Sequence, residues 1–193
     1  MTTVTAPTIE PLDHAEAMEL QAQELDQTII MLRSLDDNDW TAQTDCPEWD
    51  VRQMYLHVLG ASEAGASMLE NVSQMRAAFS HRKKSGGPLE AALSSVQIQW
   101  MHRVDTARAT GRPIELSPNH DGRIVADVVA EWARRHDRPF TLELEGPAGG
   151  TFAQDPDSPE AEHITLDAIE FCRILAGRDE ANATGLMATV VPF

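Results

Sequence analysis

The sequence is short of basic residues, and this shortage argues against nucleic acid as a partner. Its 193 residues contain 15 Lys and Arg against 31 Asp and Glu, which gives a formal net charge of −16. A nucleic-acid-binding face needs clustered positive charge to displace counterions, so we expect no such partner. The acidic residues are spread along the chain, which favours a role in solubility, and they offer no attraction to anionic lipid.

Long apolar runs and paired cysteines are also missing. No run of about 18 apolar residues is present, so we expect no membrane-spanning helix and no membrane partner. The first residues, MTTVTAP, lack the basic and apolar segments of a signal peptide. Cys46 and Cys172 are the only cysteines, and they lie too far apart in sequence to form a metal-type pair. These features together predict a reduced, cytoplasmic setting.

The first half of the chain is predicted to be helical. One helix is expected to begin at Asp13, where Asp13 and Glu16 have capping-box spacing. A second is expected from Asp50, capped with Gln53 and continuing as far as Met75. A third is expected over 89–109, after a loop at 82–88 and before a glycine cap at residue 111. The expected inward face of the first helix is Met18, Ala22, Leu25, Ile29 and Leu32, and that of the second is Val51, Met54, Val58 and Ala61.

The second half is predicted to be a small α+β unit that follows a linker at 113–118. Apolar residues at helical spacing predict a helix over 121–136, and strict alternation predicts a strand over 141–145. A glycine-rich turn at 146–150 and a return strand at 151–153 follow, and then an acidic loop at 155–162. A last helix is expected from Asp167 to Gly177, with Cys172 in its core face, and 186–193 is β-prone. We therefore expect two domains, 1–112 and 113–193.

Two histidines carry the main chemical hypothesis. His57 borders the inward face of the second predicted helix, and His102 lies in the third. Neutral imidazole is a common ligand for zinc and other first-row metals, and a catalytic site of this kind needs three protein ligands and an open position. Asp105 lies one turn after His102 and could be a third ligand or an outer-shell partner that orients an imidazole. From the residues alone, hydrogen-bonded core or surface histidines remain the alternative.

Three motifs in order resemble the mycothiol-dependent maleylpyruvate isomerase family. The segment TDCPEWDVR at 44–52, followed by His57, resembles its first signature, and WMHRVD at 100–105 with RATGR at 108–112 resembles its second. The tail also resembles the family, through LEGPAGG at 144–150 and DAIEFCR at 167–173. The resemblance covers nearly the whole chain. It implies an α+β fold, in which a DinB-like up-down helical bundle precedes a small sterol-carrier-protein-like α+β domain.

The resemblance also implies a metal site and a cofactor. In the family, two histidines and one carboxylate hold a divalent metal, usually zinc, and the matching histidines here are His57 and His102. The family carboxylate lies four residues before the second histidine, where this chain has Ile98, which cannot bind a metal. Arg103 and Arg108 follow His102 and could receive carboxylates of a thiol cofactor or a diacid substrate.

The chain resembles two family segments joined across a missing piece before Trp100. Relatives carry a further helix and loop there, whereas residues 91–99 of this chain lead directly into the WMHR motif. Either the deletion is real, or residues are missing from this sequence. A real deletion would expose the apolar face that the missing helix covers, and a homodimer would be one way to cover it.

Two functions of different class follow from these observations. The first is a mycothiol-dependent metal enzyme, an isomerase or S-transferase that acts on a small electrophile such as a maleylpyruvate-like diacid. The second is a catalytically degenerate binding or interaction module, which Ile98 favours. Cys46, near a helix start that favours the thiolate form, is a weaker candidate for a catalytic thiol. A lipid-carrying role for the second half rests on fold analogy alone.

Overall fold

The computed structural model describes residues 2–66 and 96–191. Within them the fold is α+β, as the sequence predicts, with five α-helices and one four-stranded sheet. The chain forms two compact units, one from Met1–Asp26 with Pro113–Pro192 and the other centred on Gln27–Arg112. The predicted division into domains 1–112 and 113–193 stays a prediction. No helix in the described part of the chain has the length and apolar character needed to cross a membrane.

The helices and strands have the following bounds. The helices are α1 (His14–Ser34), α2 (Val51–Ala66), α3 (Val96–Thr110), α4 (Asp121–His136) and α5 (Ala168–Leu175). The strands are β1 (Thr3–Thr5), β2 (Phe140–Glu145), β3 (Gly150–Gln154) and β4 (Glu162–Asp167).

Helix α1 begins where the sequence predicts but buries a different face. The Asp13 carboxylate accepts a hydrogen bond from the backbone N–H of Glu16 at 2.9 Å, so Asp13 caps the helix. The predicted inward residues Met18 and Leu25 are each 53% exposed, so that part of the prediction was wrong. The buried residues are instead Leu20, Glu24, Thr28 and Met31. Apolar spacing failed here because the buried face includes a carboxylate, which can leave water when it is paired.

Helix α2 is capped as predicted. The backbone N–H of Asp50 donates to Gln53 Oε1 at 3.0 Å, and the N–H of Gln53 donates to Asp50 Oδ1 at 2.7 Å, which completes a reciprocal capping box. Val51 and Met54 are fully buried, as expected of the inward face. The side chain of Ala61 and the predicted continuation to Met75 lie outside the described residues.

Helix α3 is buried on more than one face, since every residue of Trp100–Ala107 is buried. It ends at Thr110, and Gly111 follows with a φ of +67°, the left-handed conformation of a C-terminal glycine cap. Three parts of the prediction lie outside the described residues: the helix start at Leu89, the loop at 82–88 and most of the segment before Trp100 where relatives carry a further helix.

Helix α4 and the strand that follows it match the prediction closely. The predicted apolar face of α4 is buried, namely Ile124, Val125, Val128, Val129 and Trp132. Strand β2 pairs antiparallel with β3 through the predicted glycine-rich turn. Gly149 is required in that turn, since a Cβ on it would lie 2.0 Å from the carbonyl oxygen of Leu144.

Two strands of the sheet were not predicted, and one predicted extended segment was wrong. The sheet order is β1-β3-β2-β4, with β1 parallel to β3 and β4 parallel to β2. The acidic loop ends in β4, which leads to Asp167, the predicted cap of α5. The β-prone segment at 186–193 forms no strand among its described residues, and a 3₁₀ helix spans Gly185–Ala188 instead.

Candidate metal centre

Helices α2 and α3 bring His57 and His102 together. Their ring centroids lie 6.4 Å apart, and the ring planes are nearly perpendicular at 87°. A zinc–nitrogen bond is about 2.0–2.1 Å, so two imidazoles that share one ion have ring centres about 5–6 Å apart. The two rings are therefore slightly farther apart than two imidazoles that bind one ion.

His102 has a buried nitrogen that faces a carboxylate without a hydrogen bond. Its Nδ1 lies 3.7 Å from Asp105 Oδ2, and the two side chains are 6% and 0% exposed. This distance is too long for a hydrogen bond, and Nδ1 has no hydrogen-bond partner. A buried polar atom without a partner is uncommon and often marks the place of a water or an ion. The chemistry of His102 and Asp105 thus fits the ligands of a divalent cation.

The loop before α2 adds a thiol to this group. Cys46 Sγ lies 4.0 Å from Asp105 Oδ2, the same oxygen that faces His102. The loop is held by Gln43, whose Nε2 donates to the carbonyl oxygens of Cys46 at 3.0 Å and of Trp49 at 2.9 Å. These bonds stabilise the conformation of the loop around the cysteine.

Aromatic and hydroxyl groups surround the histidines. The Trp49 ring packs on His57 with a centroid distance of 4.6 Å. Thr106 Oγ1 lies 2.7 Å from the carbonyl oxygen of His102 and 3.1 Å from the Tyr55 hydroxyl. The ring of His57 is therefore held on one side by an indole, in a partly apolar environment.

The two candidate cofactor-binding arginines have different surroundings. Arg103 is buried, with 2% exposure. The Arg108 side chain is 44% exposed, and its Nε donates to Asp45 Oδ2 at 3.0 Å. Of the two, Arg108 has the more accessible guanidinium.

A second cluster, which sequence analysis missed, lies in the other compact unit. The His120 ring nitrogen Nε2 is 3.0 Å from Glu24 Oε2, and Asp121 Oδ2 accepts from the backbone N–H of Ser117 at 2.6 Å. Glu24 and Asp121 are fully buried, and His120 is 4% exposed. Within residues 2–60 and 96–191, this is the one group of three whose ligand atoms all lie within 4.8 Å of one another, so it could hold a metal ion.

The two clusters differ in how their side chains are already bonded. Ligand atoms around His57 and His102 are spread more widely than those of the second cluster, so side chains must rotate to close on an ion. In the second cluster, His120 and Glu24 are at direct hydrogen-bond distance, and Asp121 caps the turn from Ser117. One signal in the sequence could have revealed the second cluster: Glu24 shares a face of α1 with Leu20 and Thr28, which are buried.

Comparison with known proteins gives a family and no individual relative. No curated protein and no solved structure matches the chain significantly. The family model described as the mycothiol maleylpyruvate isomerase N-terminal domain matches residues 21–166, which is more than half of the chain and includes both clusters. The chain therefore belongs to the mycothiol maleylpyruvate isomerase N-terminal domain family.

Proposed function

We propose that this protein is a metal-dependent enzyme that uses mycothiol as a thiol cosubstrate. Its substrate would be a small electrophile that resembles maleylpyruvate, and its reaction an isomerisation or an S-transfer. Family membership supports a mycothiol-related, metal-binding function. The observation that carries the proposal is the approach of His57 and His102 from two helices, with a buried, unbonded nitrogen of His102 beside Asp105.

In this proposal His57, His102 and Asp105 hold the metal, and zinc is the expected ion. When bound, a divalent ion of this kind lowers the pKa of a coordinated nucleophile, so that it is available near neutral pH. The matching fold is a DinB-like bundle followed by a sterol-carrier-protein-like α+β domain. The family carboxylate lies one turn before the second histidine, where Ile98 cannot bind a metal. In this proposal Asp105, one turn after His102, takes its place.

The chain's own residues would orient the two reactants. Trp49 restricts the ring of His57, and the Asp105 carboxylate fixes the side of the His102 ring that faces the ion. Arg108, partly exposed and paired with Asp45, can exchange that partner for a carboxylate of the substrate or of mycothiol. Arg103, which is buried and follows His102 in α3, is the second candidate for binding a carboxylate of the substrate or of mycothiol.

The metal content of the purified full chain tests this assignment. After saturation with zinc and removal of excess ion, we expect one zinc per chain to be lost in His57→Ala and in His102→Ala. His163→Ala is the matched control, because His163 is exposed on β4, and it should retain the ion. Loss of mycothiol-dependent isomerisation of maleylpyruvate should accompany the loss of metal.

Two other results would contradict the assignment. Zinc that survives both substitutions and disappears in His120→Ala would place the ion at Glu24, His120 and Asp121. Absence of bound metal in the wild-type chain would remove the enzyme proposal altogether.

The second candidate function is a binding module without catalysis. It is favoured by Ile98, half-buried one turn before His102, where the family carries its carboxylate. A protein of this kind would bind mycothiol or a related thiol without metal, and calorimetry on metal-free protein would detect that binding. The enzyme proposal predicts instead that thiol binding depends on the ion.

A further inference from the structure

Tyr55 is the one tyrosine of the chain, and its hydroxyl joins α2 to α3 close to the candidate metal centre. The phenol oxygen lies 3.1 Å from Oγ1 of Thr106, which is fully buried one helical turn after His102. The proposed function leaves both hydroxyl groups without a role.

The two hydroxyl groups form a directed chain of hydrogen bonds. Thr106 Oγ1 lies 2.7 Å from the backbone carbonyl oxygen of His102, and a carbonyl oxygen can only accept. The single hydroxyl hydrogen of Thr106 therefore points to that carbonyl, and Tyr55 is the donor in its contact with Thr106. The chain runs from α2 to the backbone of a candidate metal ligand, and each bond in such a chain polarises the next.

Tyr55 and His57 lie on opposite flanks of α2. Successive residues of an α-helix are about 100° apart, so these two side chains lie on either side of Met54, which is fully buried. Both reach α3, where Tyr55 contacts Thr106 and the ring of His57 approaches that of His102. A rotation of α2 about its axis that moves His57 away from His102 must therefore also displace Tyr55 from Thr106.

The precision that an ion requires makes the rotation of α2 important. For a side chain about 6 Å from the helix axis, a rotation of about 10° moves the imidazole by about 1 Å. A metal site tolerates deviations of only about 0.2 Å in its ligand distances. A hydrogen bond that fixes this rotation therefore affects ion binding even where the fold is retained.

We propose that Tyr55 is a positioning residue of the metal centre and acts through Thr106 to set His57 relative to His102. Its hydroxyl does not bind the ion, and it limits the movement of the helix that carries one of the ligands. This inference rests on the proposed function, because it assumes that His57 and His102 bind one ion.

The zinc affinity of the full chain, measured by competition with a chelating indicator, tests this role. Tyr55→Phe keeps the ring and removes only the hydroxyl, and we expect it to weaken zinc binding at least about tenfold, as changes outside the ligand set commonly do. Thr106→Val should weaken binding by a similar factor. Thr106→Ser keeps the hydroxyl and should restore the affinity of the wild type.

Thr110→Val is the matched control. Thr110 Oγ1 donates to the carbonyl oxygen of Thr106 at 2.8 Å, so it makes the same kind of bond along α3 one turn further on. We expect this variant to bind zinc as the wild type does. A loss equal to that in Thr106→Val would show a general effect on α3 and would overturn the positioning role.

The double variant Tyr55→Phe with Thr106→Val distinguishes one shared chain from two independent contributions. If the hydroxyls act as one chain, the double variant binds zinc no more weakly than the weaker single variant. Additive losses, or a Tyr55→Phe chain with wild-type affinity, overturn the positioning role and leave the proposed function standing. A wild-type chain in which zinc binding does not depend on His57 and His102 overturns both.

Discussion

In the described part of the chain, three histidines have a buried ring nitrogen without a hydrogen-bond partner. The groups around each ring differ, and they indicate different roles. His102 faces Asp105, and His120 is bonded through its other nitrogen to Glu24. His136 instead packs against aromatic rings. An unbonded nitrogen beside a carboxylate suits a cation, whereas one against apolar rings favours the neutral imidazole.

His136 should make the stability of the protein depend on pH. Burial against Trp132 and Phe140 lowers the pKa of His136 below its ordinary value of 6.5, and the positive charge of Arg138 lowers it further. Its Nδ1 also accepts the backbone N–H of Arg138 at 2.9 Å, which requires an unprotonated nitrogen. The unfolded chain therefore binds the proton more readily, and the contribution of His136 is complete above the ordinary pKa and lost as pH falls through the lower folded pKa.

As the pH decreases below about 7, we expect the free energy of unfolding to fall more steeply in the wild type than in His136→Asn. Asparagine keeps an acceptor near the position of Nδ1 and cannot titrate in this range. Urea unfolding at several pH values measures the difference, with the exposed His163→Asn as control. Equal slopes in the wild type and His136→Asn would rule out this role of His136.

At the scale of single elements, caps decide where the helices of this protein begin. Asp13, Asp50 and Asp167 each accept a backbone N–H in the first turn of a helix, as their positions in the sequence predict. A cap depends on residues within one turn, so it can be recognised without knowledge of the tertiary fold. The cap of α2 matters most, because α2 carries His57.

We expect Asp50→Ala to lower the free energy of unfolding by about 1 kcal/mol, since the N–H of Gln53 loses its acceptor. Asp50→Asn preserves an acceptor oxygen and should cost only a few tenths of that amount. Chemical denaturation of the two variants beside the wild type measures the difference. A loss of equal size in both would mean that the carboxylate charge, and not the cap, stabilises the helix.

At the scale of the molecule, the chain's first strand completes a sheet formed by its second half. Strand β1 pairs in parallel with β3, with Thr3 opposite Thr151 and Thr5 opposite Ala153. The predicted division at residue 112 gives no hint of this pairing, because β1 is three residues long and has a single apolar residue, Val4. The entropic cost of loop closure grows only with the logarithm of loop length, so a strand that is distant in sequence can still complete the sheet.

Deletion of residues 2–5 should therefore expose one edge of β3. We expect the amides of Thr151–Ala153 on that edge to exchange with solvent at least about tenfold faster, because they lose their pairing to β1. Val4→Ala is the control, since the Val4 side chain is 40% exposed and its backbone pairing is retained. Unchanged exchange after the deletion would show that β1 does not protect β3 in solution.

The neighbours of His102 and the buried face of α1 could not be predicted from the sequence. The motif around His102 predicts that this histidine is a metal ligand. Ile98, one turn earlier, stands where the family has a carboxylate and cannot bind a metal. Neither residue indicates which distant side chains lie near His102 in the fold. Cys46 meets Asp105 across 59 residues, and Glu24 meets His120 across 96. Periodicity placed Leu25 inside and missed Glu24, because it ranks residues by apolarity and cannot detect a buried partner for a charge.

The sequence by itself determined the capped starts of α1, α2 and α5, the glycine-rich turn between β2 and β3, the face of α4 and the family. Each of these depends on residues within a few positions of one another, or on motifs read in order. Only the tertiary structure decided which face of α1 is buried, that β1 joins β3, and that His57, His102, Asp105 and Cys46 are neighbours. These contacts arise from the packing of distant segments, so local pattern and propensity do not specify them.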